Sequence, residues 1–220
     1  MVIAKETIKR WLRQCDAYWS HDGNPKKPHA ELTSGKCSNI YFNCPEVLKN
    51  PGFNKTLAET LVGRLREKGI GTRWEGVNWV IGSSYLAITF SYEVARLLGA
   101  IHGFPEKEQE PKSRKMLWRR ITIPRGATVL QIEGLIATGQ TFQEVRRAVE
   151  EGNAYSVNFF PIVGTIIHQP PKLPVDYGKQ RVISLLEQEV WTVEQEDCQL
   201  CKQGSLRFKP ETHWKELTRC

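Results

Sequence analysis

The chain has 220 residues, of which 40% are hydrophobic and 25% charged, and 31 Lys+Arg against 24 Asp+Glu leave a formal net charge of +7. That length suits one α/β domain with a small attachment and is enough to bury a sizeable core, and the composition excludes a disordered or fibrous chain. No stretch approaches the roughly 20 apolar residues needed to cross a bilayer, and Met1–Trp19 carries too many charges (Lys5, Glu6, Lys9, Arg10, Arg13, Asp16) for a signal peptide, so the expectation is a cytoplasmic protein.

In chain order, Ile8, Trp11, Leu12, Cys15 and Trp19 fall at helical spacing and predict an amphipathic helix over residues 4–19. Residues 20–28 read as a loop, and 29–43 as a short β-element interrupted at Thr33-Ser34-Gly35. A helix from Asn54 to Lys68 closes at Gly69, which suits a C-cap. Val77–Ile81 is an apolar strand running into Gly82-Ser83-Ser84, followed by a helix over Ala87–Leu98 that again closes on a glycine. A polar loop over 104–114 leads to a strand at Met116–Ile123 and a turn at Pro124-Arg125-Gly126. Thr128–Ile132 is a second buried strand, feeding a loop from Gly134 and a helix over Thr141–Glu151; Tyr155–Val163 and Val182–Leu186 complete the strands. Strands alternating with helices imply α/β architecture, a mostly parallel central sheet covered on both faces. The organisation expected is an N-terminal helix and loop (1–28) contributing to a small hood, an α/β domain (29–190), and a tail (191–220) packing on the hood.

Six cysteines are scattered through a chain too long to need stapling, which favours free thiols. Cys198 and Cys201 form a single CxxC; a structural zinc site takes four ligands, and with no second CxxC or close histidine pair the motif reads as a buried thiol pair. The run Lys112, Arg114, Lys115, Arg119, Arg120 and Arg125 contains no acid. It suits a solvated face, and it could also attract phosphate on a small molecule or nucleic acid, or a protein partner.

Ligands of open parallel sheets bind beyond the carboxyl ends of strands, and two junctions qualify: Val80-Ile81-Gly82-Ser83-Ser84-Tyr85, and Ile132-Glu133-Gly134-Leu135-Ile136-Ala137-Thr138-Gly139-Gln140-Thr141. In the second, glycine admits backbone amides to a phosphate, Thr138 and Thr141 add hydroxyl donors, and the next helix presents its positive end. Glu133, at the strand end, could hold ribose hydroxyls or a hydrated Mg²⁺.

Four segments carry a family resemblance. The run His29-Ala-Glu-Leu-Thr-Ser-Gly-Lys-Cys-Ser-Asn-Ile-Tyr-Phe-Asn43 resembles the hood segment of bacterial and archaeal orotate phosphoribosyltransferases, and Val129–Thr141 is similar to their phosphoribosyl-pyrophosphate (PRPP) signature. Phe104–Glu108 with Lys115–Arg120 looks like their mobile catalytic loop, and Asp197–Gly204 with Lys209-Pro210 like their tail. The resemblance implies the type I phosphoribosyltransferase fold and transfer of ribose 5-phosphate from PRPP, with Mg²⁺, to a nitrogenous base. It implies that Ala137, Thr138, Gly139, Gln140 and Thr141 cradle the 5-phosphate and that Glu133 faces the ribose. Lys107, Lys112 and Lys115 would reach the pyrophosphate as catalytic groups, Ser83, Ser84 and Tyr85 would form the pyrophosphate loop, and Ser34, Gly35, Lys36, Tyr41 and Phe42 the hood and base side. No metal would be held by protein side chains alone, Mg²⁺ entering with PRPP and touching at most Glu133. A homodimer is implied as well.

Three positions depart from the pattern. Gly134 stands where the signature has a second acid, and Leu86-Ala87 where the pyrophosphate loop has glycines. Gly164-Thr165, by alignment, replace an Asp-Arg pair whose guanidinium recognises the orotate carboxylate. Uracil phosphoribosyltransferases resemble this loop with a single acid. Three readings stay open: a transferase acting on a base other than orotate, an impaired homologue repurposed to bind nucleotide, nucleic acid or protein, and an orotate phosphoribosyltransferase of pyrimidine synthesis.

Overall fold

The structure is a computed structural model describing residues 3–70, 76–85, 87–109, 113, 115–169 and 181–218. Elements follow in chain order as α1 (Lys5–Gln14), β1 (Tyr18–Ser20), β2 (His29–Glu31), β3 (Cys37–Ser38), β4 (Ile40–Phe42), α2 (Cys44–Leu48), α3 (Pro51–Glu67), β5 (Trp79–Gly82), α4 (Ile88–Leu98) and β6 (Ile101–Gly103). The second half holds β7 (Glu106–Lys107), β8 (Met116–Leu117), β9 (Thr128–Ile136), α5 (Gln140–Glu151), β10 (Asn158–His168), β11 (Arg181–Glu187), β12 (Thr192–Val193), α6 (Gln199–Lys202), β13 (Arg207–Phe208) and α7 (Trp214–Thr218).

A five-stranded sheet in the order β11-β10-β9-β5-β6 is parallel throughout. Its central strand β9 is buried at nearly every position, as expected of a strand covered on both faces. On one face, α3 and α4 bring Leu57, Leu61, Leu65, Phe90 and Val94 against Val80, Leu130, Ile132 and Ile166. Each such side chain, fully withdrawn from water, contributes roughly 1.5–3 kcal/mol before entropy is counted. On the other face, α5 lays Val145, Ala148 and Val149 on Trp79, Ile81 and Val129, with Trp118 and Ile123 closing the edge.

Local chemistry sets the helix ends. The Asn50 side chain accepts from the Gly52 and Phe53 amides at 3.0 and 3.3 Å, with Pro51 opening α3. Gly99 adopts φ +68 after α4, a left-handed conformation that glycine tolerates best.

Above the carboxyl ends of the sheet sits a second layer of short strands, an antiparallel pair β1-β4 and a four-stranded sheet β12-β3-β2-β13. It draws on both ends of the chain: β13 pairs with β2, and the Trp19 indole donates to the Leu217 carbonyl at 3.1 Å. Several sequence expectations shift. The first helix stops at Gln14 rather than 19, because Asp16 turns the chain at φ +51 and Tyr18–Ser20 pairs with Ile40–Phe42. The strand expected over Met116–Ile123 is only Met116–Leu117, an arm of the β7-β8 ribbon. Strands β9 and β10 run to Ile136 and His168, four and five residues beyond the expected Ile132 and Val163. No helix among the described residues is long and apolar enough to cross a membrane.

Candidate active site

Between the hood and the carboxyl ends of β9 and β10 lies a cleft of about 510 Å³. Its floor is the β9–α5 turn, contributing Ala137, Thr138, Gln140 and Thr141. Gly139 takes φ +76 as the N-cap of α5 and its carbonyl accepts from Gln143 N at 2.9 Å. The first amides of a helix have no partner within it, so this turn offers an anion both donors and the positive end of the helix dipole.

The hood wall supplies Thr33, Ser34, Tyr41 and Phe42, and the ribbon wall supplies Lys107, Ser113 and Met116. Lys107 places Nζ 5.3 Å from the Tyr85 ring centroid. Burial first, and then Glu211, pushes the Tyr41 hydroxyl above its ordinary pKa, so it is a neutral donor at physiological pH.

Other expected residues lie elsewhere. Gly35 forms the hood turn at φ +81, and Lys36 points away to Glu194 at 2.6 Å. Ser84 is buried and bonded to the Pro105 carbonyl, Ser83 is buried, and Tyr85 is 73% exposed at φ +64. Lys115 is exposed and does not line the cleft. Lys112 and Leu86 lie outside the described residues.

Glu133 was expected to face the ribose; instead it is buried beneath the floor. The alternation of β9 turns Gln131 and Glu133 toward α5, where Gln131 Nε2 donates to Glu133 Oε1 at 2.7 Å and to the Phe142 carbonyl at 3.1 Å. Arg146 Nε donates to Gln131 Oε1 at 3.1 Å and sits over the Phe142 and Phe159 rings at 4.8 and 4.3 Å. Burial raises the Glu133 carboxyl to about 7, opposed by the hydrogen bond from Gln131. Burial likewise pulls the Arg146 guanidinium down to about 10. The departure at Gly134 is also relocated: it is a buried residue inside β9, and the Cys44 thiol covers its carbonyl at 3.6 Å.

A further correction concerns the strand that should end in Asp-Arg. Gly164-Thr165 are mid-strand and deep in the core, where a Cβ on Gly164 would stand 2.7 Å from Ile132 Cδ1. The strand ends instead at His168, beside Ile136 of β9, and Gln169 follows, its amide bonded to the Ile136 carbonyl at 3.0 Å. Gln169 lines the cleft. The sequence held the signal, since the apolar pattern resumes past Gly164-Thr165 at Ile166-Ile167 and the next turn residue after those is Pro170.

The parallel sheet, the glycine-capped turn at the end of its central strand and the hood over that turn define a type I phosphoribosyltransferase fold. Two solved structures share it: orotate phosphoribosyltransferase from Aeropyrum pernix (TM-score 0.57, 12% identity, 82% of this chain and 93% of that one) and adenine phosphoribosyltransferase from Saccharomyces cerevisiae (TM-score 0.51, 17% identity, 81% and 99%). In sequence, the chain is 36% identical over 182 residues to the orotate phosphoribosyltransferase of Pelotomaculum thermopropionicum, covering 83% of this chain and 87% of the relative. It is 34% identical over 186 residues to that of Desulforamulus reducens, again covering 83% and 87%. No family model matches. The chain belongs to the orotate phosphoribosyltransferase family.

Proposed function

We propose that this chain transfers the 5-phosphoribosyl group of PRPP to a nitrogenous base that carries no carboxylate. The observation that carries the choice of base is Gln169: where β10 ends at the cleft wall, the side chain is a neutral amide rather than a guanidinium. A bidentate Arg–carboxylate pair has no equivalent in an amide, whereas an amide offers one donor and one acceptor group that suit the N–H and C=O edge of a neutral base.

In this reading the 5-phosphate rests on the Thr138–Thr141 turn, and the base enters beneath Ser34, Tyr41 and Phe42. A ring nitrogen of the base forms the bond to ribose C1 and gives up its proton to solvent as the C1–O bond to pyrophosphate breaks, the electron pair of that bond leaving with the pyrophosphate. The Lys107 ammonium, on the β7-β8 ribbon, neutralises that leaving group, an electrostatic contribution. A protein-held magnesium site does not fit the groups present. Glu133 is locked beneath the floor, and Glu144, the one carboxylate among the described lining residues, is bonded to Arg147 at 2.7 Å. Magnesium would therefore arrive on the substrate's own oxygens.

A homodimer accords with the exposed side chains Tyr92, Ile101 and Phe104, gathered around His102 at the β6 edge; Ile101→Glu should reduce the mass measured by light scattering to that of a monomer. The activity is tested by incubating the chain with PRPP, Mg²⁺ and a panel of bases and separating the nucleoside 5′-monophosphates. Turnover of a neutral base, lost in Lys107→Ala, is expected. Preferential turnover of orotate would overturn the choice of base, and PRPP binding without turnover of any base would favour the repurposed homologue.

A further inference from the structure

From the mutual placement of His29, Cys37, Cys198 and Cys201, we propose that the hood of this chain is built around a structural zinc ion held in a Cys₃His site. The four ligand atoms, one from each side chain, lie within 4.8 Å of one another, and all but Cys201 belong to buried residues. His29 Nε2 is 3.5 Å from Cys198 Sγ and 3.4 Å from Cys201 Sγ, and Cys37 Sγ is 3.6 Å from Cys201 Sγ. A tetrahedral zinc with bonds of about 2.3 Å to sulfur and about 2.0–2.1 Å to nitrogen sets its ligands about 3.8 Å apart for two sulfurs and about 3.6 Å for sulfur and nitrogen. These three separations match those edges to within a few tenths of an ångström, and the remaining pairs lie within 4.8 Å.

The surroundings are arranged for a metal as well. Ser205 Oγ donates its proton to the Lys27 carbonyl at 2.7 Å, so toward His29 Nδ1, 2.8 Å away, it can only accept. That fixes the imidazole proton on Nδ1 and leaves the Nε2 lone pair directed at the sulfurs, the orienting contact that metal-bound histidines usually make. Ser205 reaches this position because Gly204, at φ +84, reverses the chain after α6 and sends the Ser205 amide back to the Leu200 carbonyl at 3.0 Å. Backbone amides of Leu200 and Cys201 also donate to the Cys198 sulfur, as in a CxxC turn wrapped around a cation. A nitrogen and three sulfurs with no carboxylate or water position form a closed set that favours zinc over magnesium, calcium or manganese.

The fold gives the ion a task. The strands it joins, β2 and β3, are three and two residues long, and the CxxC comes from a segment more than 160 residues away in sequence (Cys37 to Cys201 is 164). The apolar cluster beside it contains only Cys37, Cys198 and Leu200 as buried members. So thin a layer gains little from burial, while zinc–ligand bonds contribute folding free energy directly. The turn carrying Thr33 and Ser34, which line the cleft, lies between His29 and Cys37. Metal loading therefore fixes one wall of the substrate cleft without touching the chemistry.

The test is metal analysis of the untagged full chain purified from zinc-supplemented cells. One zinc per chain, retained through dialysis against EDTA, is expected; replacement by Co²⁺ should give tetrahedral ligand-field bands with thiolate charge transfer. Denaturation with a chromogenic chelator should release one zinc together with four newly reactive thiols, those of the three ligands and of the buried Cys44. Cys198→Ser and His29→Ala should lose the metal, His29→Cys should keep it, and Cys15→Ser, outside the cluster, should be unaffected. Because a variant could fail to fold, the wild-type chain also decides the matter. A folded chain with free thiols that takes up neither Zn²⁺ nor Co²⁺, or one whose Cys198 and Cys201 are joined as a disulfide, would overturn the proposal.

Discussion

Gln131 Nε2 donates to Glu133 Oε1 at 2.7 Å beneath the floor of the cleft, and that bond commits to the protein interior the acid expected to face the ribose. Burial raises the carboxyl from its ordinary 4.5 to about 7. A raised carboxyl pKa in the folded state means that the native protein binds the proton more tightly than the unfolded chain does. The cost of burying the anion is absent below about pH 4.5, grows as pH rises and is complete above about pH 7. It amounts to about 3 kcal/mol. Glu133→Gln keeps the shape and has no proton to lose. Urea unfolding should show the variant gaining up to that amount relative to wild type between about pH 5 and about pH 8. Parallel stability–pH curves for the two proteins would refute this assignment.

Helix α3 packs on the sheet at β10 and β11 and begins at Asn50, whose side chain accepts from the Gly52 and Phe53 amides at 3.0 and 3.3 Å. Asn50→Ala leaves both amides to solvent and should lower stability by about 1 kcal/mol. Asn50→Asp, which retains the acceptor and adds a charge favourable to the helix dipole, should hold or exceed the wild-type urea midpoint. Equal midpoints for the Ala and Asp variants would show that the cap contributes nothing.

Two glycines separate close packing against side chains from close packing against backbone. A Cβ at Gly164 would meet Ile132 Cδ1 at 2.7 Å and Leu61 Cδ2 at 3.0 Å, both at the far ends of side chains that can rotate. A Cβ at Gly152 would meet the Trp118 carbonyl oxygen at 2.6 Å and its Cβ at 2.7 Å, neither of which can move without the chain. Both alanine variants should be less stable, Gly164→Ala by about 1–3 kcal/mol and Gly152→Ala by more. Thermal unfolding of the pair checks the order, and the reverse order would contradict the packing described at Trp118.

Alternating strand and helix patterns located the parallel sheet and the Ala137–Thr141 turn, because that turn's chemistry is local: a glycine, two hydroxyl residues and a helix start within five positions. Where the expectation failed, the decisive partner was distant. Trp19 looks helical in a 3–4 pattern, yet its neighbours Tyr18 and Ser20 are claimed by Phe42 and Ile40 across a strand pair. Glu133 looks like a ribose ligand until the alternation of β9 is counted through to Ile136, which places it with Gln131 and Arg146. The CxxC looked isolated because His29 and Cys37 precede it by well over 100 residues and only the β2-β3-β13 pairing closes that gap.

Gln169 gives the sharpest test of how this cleft chooses its base. It stands one residue past the end of β10, anchored by its own amide on the Ile136 carbonyl at 3.0 Å, so its side chain leaves a fixed point on the wall. Gln169→Arg replaces an amide with a bidentate donor for a carboxylate, and a charge-assisted hydrogen bond contributes about 1.5–3 kcal/mol. The kcat/KM for orotate should rise by about 10- to 100-fold, while that for a neutral base falls as the acceptor oxygen is lost. Gln169→Ala should raise the KM for the neutral base by roughly tenfold at most, the worth of one neutral hydrogen bond, and leave the affinity for PRPP alone because the phosphate turn is untouched. Steady-state kinetics with both bases and each variant decide the point: if orotate turnover is unchanged by the arginine, the end of β10 does not read the base, and selection rests on the hood wall at Ser34 and Tyr41 instead.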